Sequence, residues 1–345
     1  MPATAVKGFR ERIHDGEFIV YASGYIFELE RRGYIQAGGY VPEVVLEHPT
    51  EVKQLHEEFV HAGSDVVVPL MYFAHRERLE LVGRENDCER LNRTALKIAR
   101  EVATKTGTLM AGELYNTTCY DLDPVGNAEK AKQIFKEQVE WAMDTGVDLF
   151  IAETFASFGE ASLALDAITR YSKGLPAVVM LAPNATHKTL DGLEYATALA
   201  KLAAQGADVV GLNCNFGPEP MIAEIDKIRK QCMDIPLACV PVPFRTPVEN
   251  PTFQKLTLAD GTPAFYENID GCYCPLRDIR RVGQFCAANN VQFVGVCCGN
   301  SSRYTRALAE SVGRTPPASK YRPNLENHYI LGKVCKNDDN RENIR

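Results

Sequence analysis

Apolar runs of strand length alternate with helix-like segments along most of the chain. Eight such runs predict strands, at residues 18–23, 65–72, 108–115, 149–155, 177–182, 208–215, 237–244 and 292–299. They are apolar throughout, which is typical of strands buried on both faces of a sheet. Between them, apolar residues at helical spacing predict helices, among them residues 42–62, 89–106, 128–145 and 193–205.

Strands that alternate with helices predict parallel βα units, and eight units in about 320 residues predict a (β/α)8 TIM barrel. The alternative is a doubly wound sheet, but no Gly-x-Gly-x-x-Gly follows the first strand. From about Thr315 the pattern gives way to Pro, Lys, Asn and Asp. We therefore predict a barrel over residues 1–315 and a C-terminal tail or arm over residues 316–345.

Composition narrows the class of protein. The 345 residues are 45% hydrophobic, enough for a large folded core, and the net charge is −7 without a long basic run, which argues against nucleic acid as the main partner. The longest apolar runs are too short to cross a membrane, and the polar N-terminus has no apolar segment typical of a signal peptide. Eleven cysteines, an odd count, favour reduced thiols. We predict a cytoplasmic protein.

Three cysteines follow strands that a barrel brings close together. Cys214 ends the sixth predicted strand, and Cys297 and Cys298 end the eighth. Adjacent residues of a regular strand point to opposite faces, but Gly299 allows the chain to turn both sulfurs to one point. Three thiolates at one point suit Zn²⁺ and leave its fourth position open, as in catalytic sites. The alternative is three buried core thiols.

The open position indicates a bound substrate. Three anionic sulfurs leave zinc little Lewis acidity for activating water and favour a substrate thiol held as a nucleophilic thiolate. Such a thiolate suits alkyl transfer, and a donor with a positive onium centre supplies a good leaving group. A zinc hydrolase or lyase is the alternative, with Glu113 or Glu153 as its general base. A non-catalytic onium-binding protein is another.

An onium donor needs aromatic rings whose faces attract a cation. Rings are available at the same end of the predicted barrel, although core packing alone also explains aromatic residues there. These candidates are Tyr25, Tyr40, Tyr72, Phe73, Tyr115 and Phe155.

Several motifs resemble the betaine–homocysteine S-methyltransferases. They include Phe-Glu-Leu-Glu-Arg-Arg-Gly-Tyr at 27–34, Pro-Glu-Val-Val-Leu-Glu-His-Pro at 42–49, Ala-Glu-Thr-Phe at 152–155, Gly-Leu-Asn-Cys at 211–214 and Gly-Val-Cys-Cys-Gly at 295–299. The resemblance spans roughly residues 10–320. It implies a (β/α)8 barrel that holds zinc on Cys214, Cys297 and Cys298 and makes methionine from homocysteine and a betaine or sulfonium donor.

The resemblance also assigns substrate contacts. It places Asn213 beside the first zinc ligand and Glu153 on the amino group of the acceptor. Several positions depart from the family pattern, and four of them bear on the site. An Asp that helps to hold this amino group is replaced by Ala22, a Tyr near the zinc by Phe73, the donor-site Trp by Tyr40, and a small residue on strand three by Glu113.

Two consequences of these departures stay open. Either Glu113 compensates for Ala22, or the acceptor is a thiol other than homocysteine. Because the family's C-terminal dimerisation extension is largely missing here, a homo-oligomer is also left open.

Two further patterns do not predict a site. His56 and His61 are five residues apart and so lie on different faces of a helix, which we interpret as a solvated surface. Cys272 and Cys274 lie in the long insert before the eighth strand, where a second metal or redox pair is the less favoured interpretation.

Overall fold

The computed structural model describes residues 7–232 and 234–328. Its eight strands close into one parallel barrel in sequence order, which confirms the predicted (β/α)8 fold. The strands are β1 Ile19–Ala22, β2 Val66–Val67, β3 Leu109–Tyr115, β4 Leu149–Phe155, β5 Ala177–Leu181, β6 Val209–Asn213, β7 Leu237–Val240 and β8 Phe293–Val296. The barrel closes where β1 pairs with β8, in the register Tyr21 to Gly295.

Twelve α-helices are found in the described residues, and most of them cover the outside of the barrel. They are α1 Phe9–His14, α2 Tyr25–Arg31, α3 Val44–Glu47, α4 Pro49–Ala62, α5 Arg76–Leu79, α6 Cys88–Thr106, α7 Ala128–Thr145, α8 Phe158–Tyr171, α9 Tyr195–Ala204, α10 Pro218–Gln231, α11 Leu276–Ala288 and α12 Ser302–Ser311. None of these helices is both long enough and apolar enough to cross a lipid bilayer.

The predicted helix over residues 42–62 is wrong in one respect, because it is two helices. His48 lies between α3 and α4 with φ −135° and ψ 57°, outside the helical region. The cause is Pro49, whose ring disfavours helical geometry at the preceding residue and whose missing N–H suits the first turn of a helix.

Several strands are shorter than the apolar runs that predicted them. The second run, 65–72, pairs only at Val66 and Val67, after which the chain leaves the sheet before Pro69. Proline cannot donate to a sheet ladder, so a strand in the interior of a barrel ends there. The apolar residues beyond Val67, such as Val68 and Leu70, are buried in the loop instead.

Ion pairs tie the two ends of the described chain to the amino-terminal face of the barrel. Asp65, 8% exposed, accepts from Arg12 at 2.9 Å and from Arg314 at 2.7 Å. The segment after α12 continues along the outside, where Ser319 donates to Glu310. Residues 329–345 of the predicted tail lie outside the described residues, and the boundary at residue 315 stays a prediction.

A long insert, residues 241–275, lies between β7 and α11 at the opposite, carboxyl-terminal face. The Phe253 backbone N–H donates to the Asn215 carbonyl, which fixes the insert over the loop that follows β6. The insert therefore forms a roof over the end of the barrel where active sites of this fold lie.

The expectation of a solvated histidine face is wrong for His56. Its side chain is fully buried and packs edge-on against the Tyr25 ring at 4.8 Å, while His61 is exposed. Burial lowers the pKa of His56 to about 3, so this imidazole is neutral.

Candidate functional site

A cavity of about 170 Å³ opens at the carboxyl-terminal ends of the strands, under the insert. Its walls come from the ends of β3 and β4, from the segments after β1, β2, β6 and β8, and from the insert itself. Eight of the predicted site residues line this cavity: Tyr25, Tyr40, Tyr72, Phe73, Glu153, Cys214, Cys297 and Cys298.

A larger recess, about 410 Å³, lies on the surface between α10 and α11. Its lining includes the exposed Arg245 and Arg277 and the half-buried Asp278, which together carry both signs of charge. We place the candidate site in the smaller cavity because the clustered thiols and the buried carboxylates lie there.

The three predicted thiols converge on one point. Cys214 follows β6 in a left-handed conformation, φ 62°, and Cys297 and Cys298 follow β8. Gly299 has φ 87°, and a Cβ at this position would lie 2.6 Å from the Phe244 ring, so the turn that aims both sulfurs requires glycine.

The spacing of the sulfurs fits a metal ion. The Sγ atom of Cys298 lies 3.5 Å from that of Cys214 and 3.9 Å from that of Cys297, and the three atoms lie within 4.8 Å of one another. Tetrahedral zinc with Zn–S bonds of about 2.3 Å requires sulfurs about 3.8 Å apart. The group is the one cluster of possible metal ligands found among residues 7–232 and 234–328.

The thiols also change one another's acidity. Contacts from the thiols of Cys297 and Cys298 stabilise a thiolate on Cys214 and lower its pKa well below the usual value. Contact with the Cys214 thiol raises the pKa of Cys297 and of Cys298. The three thiols therefore titrate as one coupled group.

Asn213 connects a carboxylate to this cluster. Its Nδ2 atom donates to Glu153 Oε2 at 2.9 Å and lies 3.8 Å from Cys297 Sγ, and its Oδ1 accepts from the Thr154 backbone N–H at 2.9 Å. Asn213 is fully buried and lies behind the cavity wall. These contacts let Asn213 orient Glu153, and its direct contact with substrate stays a prediction.

Two carboxyl groups share one buried network. The Tyr21 hydroxyl lies 2.8 Å from Glu153 Oε1 and 3.2 Å from Glu113 Oε1, and the Tyr115 hydroxyl contacts Glu113 Oε2. Burial raises the pKa of Glu153 to about 8 and raises that of Glu113 well above its usual range. Only Glu153 reaches the cavity, because Tyr115 stands between the cavity and Glu113.

The resemblance aligns a tyrosine of the family with Phe73, and the neighbouring Tyr72 also lines the cavity here. Phe73 adopts φ 57°. The centre of its ring lies 4.0 Å from the centre of the Tyr72 ring and 4.0 Å from the guanidinium carbon of Arg78. Burial, and then negative charge on Cys298, Cys214 and Cys297, raise the pKa of Tyr72, and all four residues line the same cavity.

Phe155, which was predicted to contact substrate, is not among the residues that line the cavity. Its ring packs edge-on against Phe135 of α7 at 6.0 Å and is fully buried. Regular alternation would give Phe155 the same orientation as Glu153, but Thr154 is left-handed, φ 67°, and the strand register shifts there. The irregularity turns Phe155 towards the helices.

Sequence analysis missed several residues of the cavity wall. Phe253, Gln254 and Phe265 come from the insert, which has no periodic pattern, and Phe27 comes from a motif used only for family resemblance. The Phe27 and Tyr40 rings stack at 5.9 Å, and Phe253 meets Phe265 edge-on at 5.7 Å. Aromatic residues in a loop at this face are the sequence signal that indicates them.

Glu160, the first buried acid of α8, lies outside the cavity. Its Oε1 accepts from the backbone N–H of Thr117 at 2.7 Å and from the Thr117 hydroxyl at 2.6 Å, while Oε2 has no hydrogen-bond partner in the described part of the chain. Burial raises its pKa to about 7.

Glu160→Gln should stabilise the protein at alkaline pH. The folded-state pKa lies above the unfolded one, so the stabilisation from the protonated acid is complete below the unfolded pKa, near 4, and is lost as pH rises to about 7. Glutamine keeps the oxygen that accepts from Thr117, and we expect it to add up to about 3 kcal/mol to the free energy of unfolding at pH 8. Urea unfolding at pH 5 and pH 8 measures this, and an equal change at both pH values would contradict it.

Comparison with known proteins identifies relatives across nearly the whole chain. The sequence model of the family described as homocysteine S-methyltransferase matches residues 19–312. Betaine–homocysteine S-methyltransferase 1 of Xenopus tropicalis is 32% identical over 336 residues, which cover 92% of this chain and 80% of that protein. S-methylmethionine–homocysteine S-methyltransferase BHMT2 of Pongo abelii is 30% identical, covering 92% and 85%.

Solved structures agree on the fold. The metallated form of the homocysteine methyltransferase MmuM from Escherichia coli superposes with a TM-score of 0.63 at 20% identity, covering 85% of this chain and 96% of that one. At this identity the likeness concerns the barrel architecture.

Proposed function

This chain belongs to the homocysteine S-methyltransferase family and is a methyltransferase, and we propose that it moves a methyl group from a small onium donor to homocysteine, giving methionine. The observation that carries the proposal is the convergence of Cys214, Cys297 and Cys298 beside a buried carboxylate in one aromatic cavity. Relatives named for betaine and for S-methylmethionine support both onium classes as donors.

We assign zinc to the three cysteines. Their sulfur spacing matches tetrahedral coordination, and thiolates are ligands that select zinc over harder ions. Zinc bound there would lower the pKa of the acceptor thiol and hold it as a thiolate. The protein contributes the three ligands, the glycine turn that aims two of them, and Asn213, whose amide lies against Cys297.

Glu153 is the candidate contact for the acceptor's ammonium group. It is the carboxylate that lines the cavity, and its two oxygens are fixed by Tyr21 and Asn213. An ammonium beside it favours the ionised acid, which opposes the effect of burial. Because Ala22 carries no second carboxylate, a different thiol acceptor is the second candidate, which the same assay tests.

The aromatic wall is the candidate donor site. Tyr40, Phe27, Phe253 and Phe265 form it, and the described lining contains no Lys, Arg or His. Ring faces attract an onium cation, and the negative charge of Glu153 and the thiolates adds to the attraction. A methyl carbon held between this wall and the cysteine cluster is positioned for direct attack by a thiolate.

The test is methionine formation from purified protein, homocysteine and separate donors. We expect a product with betaine or with S-methylmethionine and none with S-adenosylmethionine. Product only with S-adenosylmethionine would contradict the donor class. Donor consumption with another small thiol and none with homocysteine would favour the second candidate. Binding of betaine without turnover of any thiol would favour the non-catalytic alternative.

Tyr40→Leu should weaken the donor site selectively. Loss of the ring face removes a cation–π contact of about 1–2 kcal/mol, so the donor KM should rise roughly tenfold while the homocysteine KM changes little. Tyr40→Phe is the matched control, because it keeps the ring and should stay close to wild type. Equal donor KM values for the Leu and Phe variants would show that Tyr40 does not bind the donor.

We also place the protein in the cytoplasm and treat it as an enzyme of small-molecule substrates. All ten cysteines of the described residues are free thiols, which suits a reducing compartment. A homo-oligomer stays a prediction, which sedimentation analysis tests.

A further inference from the structure

Glu113 connects Tyr21 and Tyr115 in the buried network but does not line the cavity. It lies on β3, inside the barrel, and is 1% exposed. One of its carboxyl oxygens lies 3.2 Å from the Tyr21 hydroxyl, and the other contacts the Tyr115 hydroxyl. No ion pair with Glu113 is found in the described ranges, and Tyr25 of α2 is the other titratable group that faces it.

Counting protons shows that one carboxyl of the network is neutral. The Tyr21 hydroxyl has one proton but contacts two carboxyl oxygens, at 2.8 Å on Glu153 and 3.2 Å on Glu113. If both acids were ionised, one of these contacts would join two acceptors, which buried groups avoid. One carboxyl must therefore donate to the Tyr21 oxygen.

The surroundings of the two acids assign that proton to Glu113. Glu153 accepts from Tyr21 and from Asn213 and lines the cavity, where a cationic group of the acceptor offsets the burial that raises its pKa to about 8. Glu113 lies behind Tyr115 and has no access to this group. With Glu113 protonated, each contact from Tyr115 through Glu113, Tyr21 and Glu153 to Asn213 has one donor and one acceptor. Burial, and then the charge of Glu153, raise the pKa of Glu113 in the same direction.

We propose that Glu113 is a positioning residue that acts as a neutral carboxylic acid, donating to Tyr21 so that Tyr21 in turn donates to Glu153 and holds it ionised for a cationic group of the acceptor. This role rests on the proposed function only in naming the acceptor. It differs from a carboxylate that replaces the charge missing at Ala22, because a neutral acid behind Tyr115 cannot pair with an ammonium. The acceptor site then carries one carboxylate, and Glu113 determines its orientation.

Two substitutions separate these roles. In Glu113→Gln the amide N–H₂ can donate to Tyr21 and the amide oxygen can accept from Tyr115, so we expect the homocysteine KM to stay within about threefold of wild type. Glu113→Leu removes both contacts and should raise this KM roughly tenfold, with a smaller change in kcat. A tenfold rise in Glu113→Gln as well would overturn the proposal in favour of a charged Glu113. A wild-type KM in Glu113→Leu would also overturn it.

The protonation state can be read without any substrate. The infrared difference spectrum between wild type and Glu113→Gln at neutral pH should show loss of a protonated-carboxyl C=O band. Loss of carboxylate bands instead would overturn the proposal, even if Glu113→Leu fails to fold. Glu160→Gln is the matched control for removing a buried acid outside the site, and it should leave the homocysteine KM unchanged. If wild type turns over no thiol, the proposed function fails while the infrared result still decides the state of Glu113.

Discussion

Cys297→Ser should lose the bound metal and at least about a hundredfold of kcat/KM. Changes to groups one step removed from a metal ligand already cost about 10–100-fold, so loss of a ligand costs more. Without a metal, the acceptor thiol has a pKa near 8.5 and is largely protonated at neutral pH. The same outcome is expected for Cys214 and Cys298, because all three sulfurs surround one point.

Metal analysis and kinetics together measure this result. The matched control is Cys232→Ala, which removes a buried thiol that contacts the Ala196 carbonyl far from the cluster. We expect about one zinc per chain in wild type and in the control. Wild type free of metal after metal-replete expression, or cluster variants that keep both metal and activity, would rule out the metal centre.

Glu153→Gln should lower kcat/KM for homocysteine by about tenfold to a hundredfold. The variant keeps the shape of the side chain but loses a charge-assisted hydrogen bond, worth about 1.5–3 kcal/mol. Glutamine also offers an amide group where Tyr21 and Asn213 both donate, so one of these donors loses its acceptor. We expect the main change in the homocysteine KM and little change in metal content.

The effect of Glu153→Gln is measured by steady-state kinetics, with the homocysteine concentration varied at a saturating donor concentration. Glu160→Gln again serves as the control, since Glu160 is buried to a similar degree but contacts Thr117, outside the cavity. A homocysteine KM in Glu153→Gln equal to that of wild type would exclude Glu153 as the ammonium contact.

The barrel could be predicted from the sequence because the same pattern, an apolar run followed by a helix, recurs along the chain. Eight apolar runs alternating with helices leave few other arrangements, and each run contains an observed strand. The ends of the strands were less predictable, because burial of the chain continues past the last residue that pairs in the sheet. Val68 and Leu70 are as apolar and as buried as Val67, yet Pro69 ends the pairing.

The cluster of three thiols could also be predicted, for a local reason. Cys214, Cys297 and Cys298 follow strands, and the parallel barrel brings strand ends to one face. What the pattern could not give is the direction of each neighbouring side chain. Thr154 is left-handed and breaks the alternation of its strand, so Phe155 packs against Phe135 of α7, while Tyr72 and the left-handed Phe73 lie in a loop where no alternation applies. Positive φ at non-glycine residues leaves no reliable trace in sequence.

The role of Glu113 required the contacts of a folded interior. Its position on the third strand and the loss of an Asp at Ala22 favoured a replacement carboxylate. The structure instead places Tyr115 between Glu113 and the cavity and connects Glu113 to Glu153 through Tyr21. Such connections depend on the register between β1, β3 and β4, which apolar patterning does not specify.

The central claim is that the acceptor thiol binds the metal beside the three cysteine sulfurs. X-ray absorption at the edge of the bound metal tests this claim most directly. The spectrum of the purified enzyme should give three sulfur ligands at about 2.3 Å and one lighter ligand. Addition of homocysteine should give four sulfur ligands at a similar distance, while Cys298→Ser should not reach that number. A metal with no cysteine sulfur around it, or a sulfur count that stays at three in saturating homocysteine, would contradict the account.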